Sequence, residues 1–124
     1  MFRYSSTALA SLVLTACAAN LPLEKNIGAD RVSAASRIVV FNKGHLSEVP
    51  TIAKTLGPIE GHSCKHNFWD PVSEKDALQQ VQLKALDMGA NGIVQVQYDW
   101  SGTELTRNCW KSVTASGVAV IFQR

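Results

Sequence analysis

Hydrophobic positions along the chain fall into blocks of different period, and each block predicts an element. The clearest is helical. From Glu74 to about Met88, the residues Ala77, Val81, Ala85 and Met88, joined by Leu78, recur at three- and four-residue spacing and form one apolar stripe. Ser73 stands before the run as a cap, with Asp76 three residues later in capping-box position, and Gly89 supplies a left-handed stop. Next, Ile93-Val94-Gln95-Val96-Gln97-Tyr98-Asp99-Trp100 alternates, which predicts a strand with Val94, Val96, Tyr98 and Trp100 on one face. Ser101-Gly102 opens a turn, and a long return strand is predicted from near Cys109 to Phe122.

Upstream the pattern is shorter. Arg37-Ile38-Val39-Val40-Phe41 predicts a strand broken by Asn42-Lys43-Gly44. Val49 to Leu56 is ambiguous, with a turn of helix after Pro50 as one reading. Thr55 to Gly61 predicts a second strand leading into Cys64, and Pro58 removes a ladder donor, so this strand is an edge or is bulged there. The order strand–strand–helix–strand–strand predicts an α+β domain, with one helix packed on a small, mainly antiparallel sheet. Residues 18–36, AANLPLEKNIGADRVSAAS, carry no sustained period and read as a tether.

The first residues follow a different logic. Arg3 is the only charge in the first 23 residues, and the apolar run Ala8 to Leu14 is shorter than the roughly 20 residues that span a bilayer. The run ends in Leu14-Thr15-Ala16-Cys17, which resembles the lipobox of bacterial lipoproteins. That resemblance implies a signal peptide over 1–16, cleavage before Cys17, and lipid attachment at Cys17 through its thiol and new α-amino group. The chain then divides into a signal peptide (1–16), a lipidated tether (17–36) and an α+β domain (37–124). Two or more acyl chains, each buried methylene contributing about 0.8 kcal/mol, would hold the protein firmly on a membrane. Ala18, rather than aspartate, follows the cysteine, which by the lipoprotein sorting rule implies the outer membrane.

Composition narrows the function. Without residues 1–16 the chain keeps 108 residues, one small domain. With 46% hydrophobic and 18% charged residues the composition is globular, and loss of Arg3 takes the formal charge from +2 to +1. No basic field exists to hold nucleic acid or anionic lipid. The sequence holds no Gly-rich phosphate loop, no Ser–His–Asp signal and no obvious paired carboxylates, so it reads as non-enzymatic and implies no cofactor.

One short motif carries chemistry. Gly61-His62-Ser63-Cys64-Lys65-His66 puts a cysteine between two histidines. With Cys17 taken by lipid, Cys64 and Cys109 remain as an even pair in an oxidising compartment, which predicts a disulfide. That bridge would close a loop of about 46 residues and contribute roughly 4 kcal/mol in the chain-entropy model. The alternative is a metal site. His62, Cys64 and His66 share one face of an extended segment and offer three ligands, with Asp70 as a fourth. A thiol nucleophile at Cys64 lacks an identifiable third, orienting group. Among the aromatics Phe68, Trp69, Trp100 and Trp110, the first two follow Cys64 in a predicted loop, where an exposed patch would suit a partner protein.

Leu56-Gly57-Pro58-Ile59-Glu60-Gly61-His62-Ser63-Cys64 resembles a segment of the RcsF family, outer-membrane lipoproteins that sense envelope stress for the Rcs phosphorelay. Met88-Gly89-Ala90-Asn91-Gly92-Ile93-Val94 resembles that family's helix-to-strand join, and Cys109 with Gly117 resembles its C-terminal cysteine and glycine. The resemblance covers about residues 37–122. It implies a stress sensor acting by protein–protein contact, with outer-membrane β-barrel proteins and an inner-membrane repressor of the phosphorelay as partners. It also implies the Cys64–Cys109 bridge. The family's second bridge has no counterpart here, since its cysteines fall near Tyr98 and on Ala115, and the tether here is shorter with only Pro22. A similar strand–helix–strand–strand arrangement also occurs in small domains named for heavy-metal binding. The competing function is therefore a periplasmic lipoprotein with a His/Cys metal-binding α+β domain.

Overall fold

The structure, a computed structural model, describes residues 28–67 and 69–124. The signal peptide, Cys17, most of the tether and Phe68 lie outside the described residues. The elements run α1 (Ala29–Ser36), β1 (Val39–Asn42), β2 (Ile52–Lys65), α2 (Glu74–Asp87), β3 (Gly92–Ser101) and β4 (Lys111–Phe122). The strands form one sheet in the order β1-β3-β4-β2. The β1–β3 pair is parallel, whereas β3–β4 and β4–β2 are antiparallel. The fold is thus α+β with a mainly antiparallel sheet, stapled by a disulfide between Cys64 and Cys109.

Helix α2 forms where its pattern predicts. Ser73 Oγ accepts the N–H of Asp76 at 3.1 Å, a cap that contributes about 1 kcal/mol. The N–H of Ser73, which a capping box would give to Asp76, donates instead to Ser63 Oγ on β2 at 3.1 Å. Gly89 ends the helix at φ +80°, a conformation costly for any residue with a Cβ. The apolar stripe of α2 buries Ala77, Val81 and Ala85 against Ile59, Ile93, Val96, Val113, Ala115 and Ala119 of the sheet. Met88 closes the predicted stripe but remains 40% exposed.

Three expectations change. First, residues 29–36 are not tether but helix α1, which lies against α2. Its sequence has little period because Ala35 alone is buried; packing against α2 and the Arg31–Asp87 ion pair at 2.5 Å hold it. The sheet's single predicted helix therefore has a companion. Second, the turn of helix lies at Leu46–Glu48, before Pro50 rather than after it, and β2 already starts at Ile52. Third, strand β3 does not keep its alternation. A bulge between Val94 and Gln97 places Gln95 at φ +57°. Val94 therefore turns to the opposite face, where it packs with Val120, Phe122, Phe41, Val49 and Val118, while Ile93, Val96 and Tyr98 face α2.

Pro58 does sit on an edge, as β2 is the outer strand. The exposed edge is blunted from Pro58 onward. Pro58 offers no donor, the Glu60 carbonyl accepts from Lys84 Nζ, and the His62 N–H donates to Gln80 Oε1 at 2.9 Å. Two side chains of α2 thus occupy the backbone groups that a further strand would need.

Candidate metal centre

Strand β2 carries Cys64 to the end of the sheet, opposite Ser112 of β4. The segment between β3 and β4 folds back to meet it. Glu104 and Cys109 pair through two backbone bonds, Glu104 N–H to the Cys109 carbonyl at 2.8 Å and Cys109 N–H to the Glu104 carbonyl at 3.0 Å. The next residue, Trp110, donates its N–H to the Lys65 carbonyl at 2.7 Å. Asn108 adopts φ +54°, which asparagine tolerates better than most residues, and lets the chain turn into Cys109. These bonds bring Cys64 and Cys109 to a Cα separation of 5.5 Å, within the range of disulfides.

His66 completes the cluster. Its Nδ1 lies 3.6 Å from Cys64 Sγ and 3.0 Å from the carbonyl oxygen of Asn108. A carbonyl only accepts, so Nδ1 carries the ring proton in this oxidised state. Ligand atoms of Cys64, His66 and Cys109 all lie within 4.8 Å of one another. Cys109 is buried, Cys64 half-buried and His66 exposed.

The predicted set of His62, Cys64 and His66 with Asp70 is assembled only in part. His62 Nδ1 lies 2.8 Å from Nη1 of Arg107 and 2.9 Å from Oγ1 of Thr114. The guanidinium can only donate, so His62 Nδ1 accepts and its proton sits on Nε2. Burial, then the Arg107 charge, lowers the His62 pKa from its ordinary value of 6.5. Asp70 instead organises the loop, its Oδ2 accepting the N–H groups of His66 at 3.1 Å and Asn67 at 2.8 Å. Cys109 takes the third place in the cluster. The signal for it was the even cysteine pair, which predicts a bridge but also predicts where two sulfurs meet.

A cavity of about 460 Å³ opens beside Cys64 and His66, with Asp70 and Gln80 in its wall. Of the aromatics, Trp69 is 81% exposed, whereas Trp100 donates its indole N–H to Glu74 Oε1 at 3.0 Å and lies under the Lys111 ammonium. Among the described residues no helix is long and apolar enough to cross a membrane.

Residues 71–123 match a family described as "Putative heavy-metal-binding". The matched stretch holds α2, β3, β4 and Cys109, and it begins after Cys64 and His66. The crystal structure of a protein of unknown function of the DUF74 family, from Pediococcus pentosaceus, aligns with a TM-score of 0.49 at 15% identity. That alignment covers 69% of this chain and 98% of the other. No curated protein matches the chain.

Proposed function

We propose that this domain binds a heavy-metal ion between the thiolates of Cys64 and Cys109 and the imidazole of His66. The observation that carries the reading is the clustering of these three donors within 4.8 Å of one another. The match of residues 71–123 to a family described by heavy-metal binding supports it independently. Thiolate and imidazole are the donors that such ions prefer. While the disulfide is closed the sulfurs are poor ligands, so the binding form is the dithiol. Cadmium(II) titration of the reduced full chain, read by native mass spectrometry and thiolate-to-metal charge-transfer absorption, tests it. One ion per chain is expected, lost in Cys109→Ser. Equal binding by wild type and a Cys64→Ser/Cys109→Ser double variant would overturn it.

A second reading, that of a lipid-anchored envelope-stress sensor of the RcsF type, is favoured by one observation: Cys64 and Cys109 are bonded to each other. In that reading acyl chains on Cys17 hold the chain at the outer membrane, and the domain signals to a phosphorelay by touching β-barrel proteins and an inner-membrane repressor. Palmitate labelling of wild type and Cys17→Ser separates an anchored from an unanchored protein. Label on the variant would end the lipoprotein reading.

A further inference from the structure

We propose that the Cys64–Cys109 disulfide is a redox gate on the metal centre, and that its two-electron reduction opens a three-donor site for copper(I). The inference rests on the metal-binding reading of Cys64, Cys109 and His66.

The donors are held by bonds that do not involve sulfur. The ladder sets Cys64 opposite Ser112 and Lys65 opposite Lys111. The Trp110-to-Lys65 bond at 2.7 Å and the paired bonds of Glu104 with Cys109 at 2.8 and 3.0 Å fix the facing loop. Opening the S–S bond therefore frees two side chains to rotate without releasing the backbone that carries them. The dithiol is a pre-organised pair rather than a loosened loop.

The two sulfurs differ in access. Cys64 is half-buried and lines the cavity of about 460 Å³, whereas Cys109 is 2% exposed and borders only a smaller one of about 110 Å³. A small-molecule thiolate entering the cavity attacks Cys64 Sγ, the S–S bond breaks, and Cys109 departs as a thiolate. A second small thiolate attacks the mixed disulfide and releases Cys64 as a thiolate. The two small thiols leave joined as a disulfide, and their protons balance the two protein thiols formed. Metal binding then displaces both thiol protons. The His66 Nδ1 proton is also lost while Nε2 takes one up, which leaves the Asn108 carbonyl free to turn to water.

The donor set favours a soft ion of low coordination number. Asp70, the fourth ligand that the sequence offered, turns its Oδ2 to the N–H groups of His66 and Asn67 and is not part of the cluster. Among the described residues the cluster comprises Cys64, His66 and Cys109, with no carboxylate in it. Structural zinc is almost always bound by four protein donors and three-donor zinc keeps a water in the fourth place, whereas two thiolates and one imidazole fill the shell of soft, low-coordinate copper(I). Reducing conditions that open the bond also keep copper monovalent.

The test compares the full chain, oxidised and reduced, under anaerobic conditions. Copper(I) is supplied as its bicinchoninate complex and zinc(II) with a chromophoric chelator. The reduced chain is expected to take one copper(I) and to prefer it to zinc by more than about tenfold; the oxidised chain is expected to take none. His66→Ala should weaken copper(I) binding by about tenfold or more. With limiting glutathione and acid quench, peptide mapping should find the mixed disulfide on Cys64. Binding of cadmium or zinc by the reduced chain without a copper(I) preference would overturn this inference and leave the metal reading standing. A reduced chain that binds neither copper(I) nor zinc here, nor cadmium in the titration above, would overturn both. Equal uptake by the oxidised chain, glutathione found on Cys109, or loss of the native circular-dichroism spectrum on reduction would each overturn the gate.

Discussion

Arg107 reaches from the loop before β4 to donate to His62 Nδ1 across 2.8 Å, and Glu104 faces the same guanidinium at 3.6 Å. This contact holds His62 away from the sulfur cluster and keeps it neutral. Because burial and the Arg107 charge lower the His62 pKa from 6.5, the unfolded chain takes up the proton at a higher pH than the folded one. Stability from neutral His62 is thus fully present above the unfolded value and falls as pH drops through the lowered folded one. The urea midpoint of wild type should decline more steeply between pH about 7.5 and about 5 than that of His62→Gln. Parallel pH profiles would contradict the assignment.

Gly61 is a close-packing position. A Cβ there would lie 2.2 Å from the Ala77 carbonyl and 2.9 Å from Gln80 Cβ, so α2 would have to retreat from β2. Gly61→Ala should cost about 1–3 kcal/mol, as overpacked cores do. Gly102→Ala, with open space around the added methyl, serves as the neutral control. Chemical denaturation of both variants gives the comparison.

The bulge in β3 is testable through Gln95, whose φ of +57° favours glycine. Gln95→Gly should stabilise by up to about 1 kcal/mol, whereas the β-branched Gln95→Val should destabilise by about 1–3 kcal/mol. Equal thermal midpoints for the two would mean that β3 runs without the bulge.

Cys64→Ser and Cys109→Ser remove one shared constraint. Each should cost about 2–5 kcal/mol, and the double variant should be little worse than either single one. Additive losses in equilibrium unfolding of the oxidised proteins would contradict a single bridge.

Helix α2 was legible in the sequence because Ser73, the apolar stripe and Gly89 are local signals that agree with one another. Pro58 likewise marked an edge by itself. The bulge at Gln95 was not, since glutamine there continues an unbroken alternation and only the packing of Val94 against Phe122 reverses it. Helix α1 was hidden for a similar reason: its one buried residue, Ala35, gives no period. In the proposed metal centre, Cys64 and His66 could be read from spacing. His62 could not be excluded, because its partners Thr114 and Arg107 lie 52 and 45 residues away. Cys109 was legible as a bridge partner but not as a ligand, because a bridge and a thiolate site were read as exclusive, whereas the proposed centre uses one pair of sulfurs for both in different redox states.

If Cys64, Cys109 and His66 hold one metal ion, X-ray absorption of the reduced chain loaded with one equivalent of cadmium(II) reads their atoms around it. The expected shell has two sulfur neighbours and one imidazole nitrogen, falling to one sulfur in Cys109→Ser and losing the imidazole signature in His66→Ala. A shell of oxygen and nitrogen alone, or one unchanged by either substitution, would contradict it.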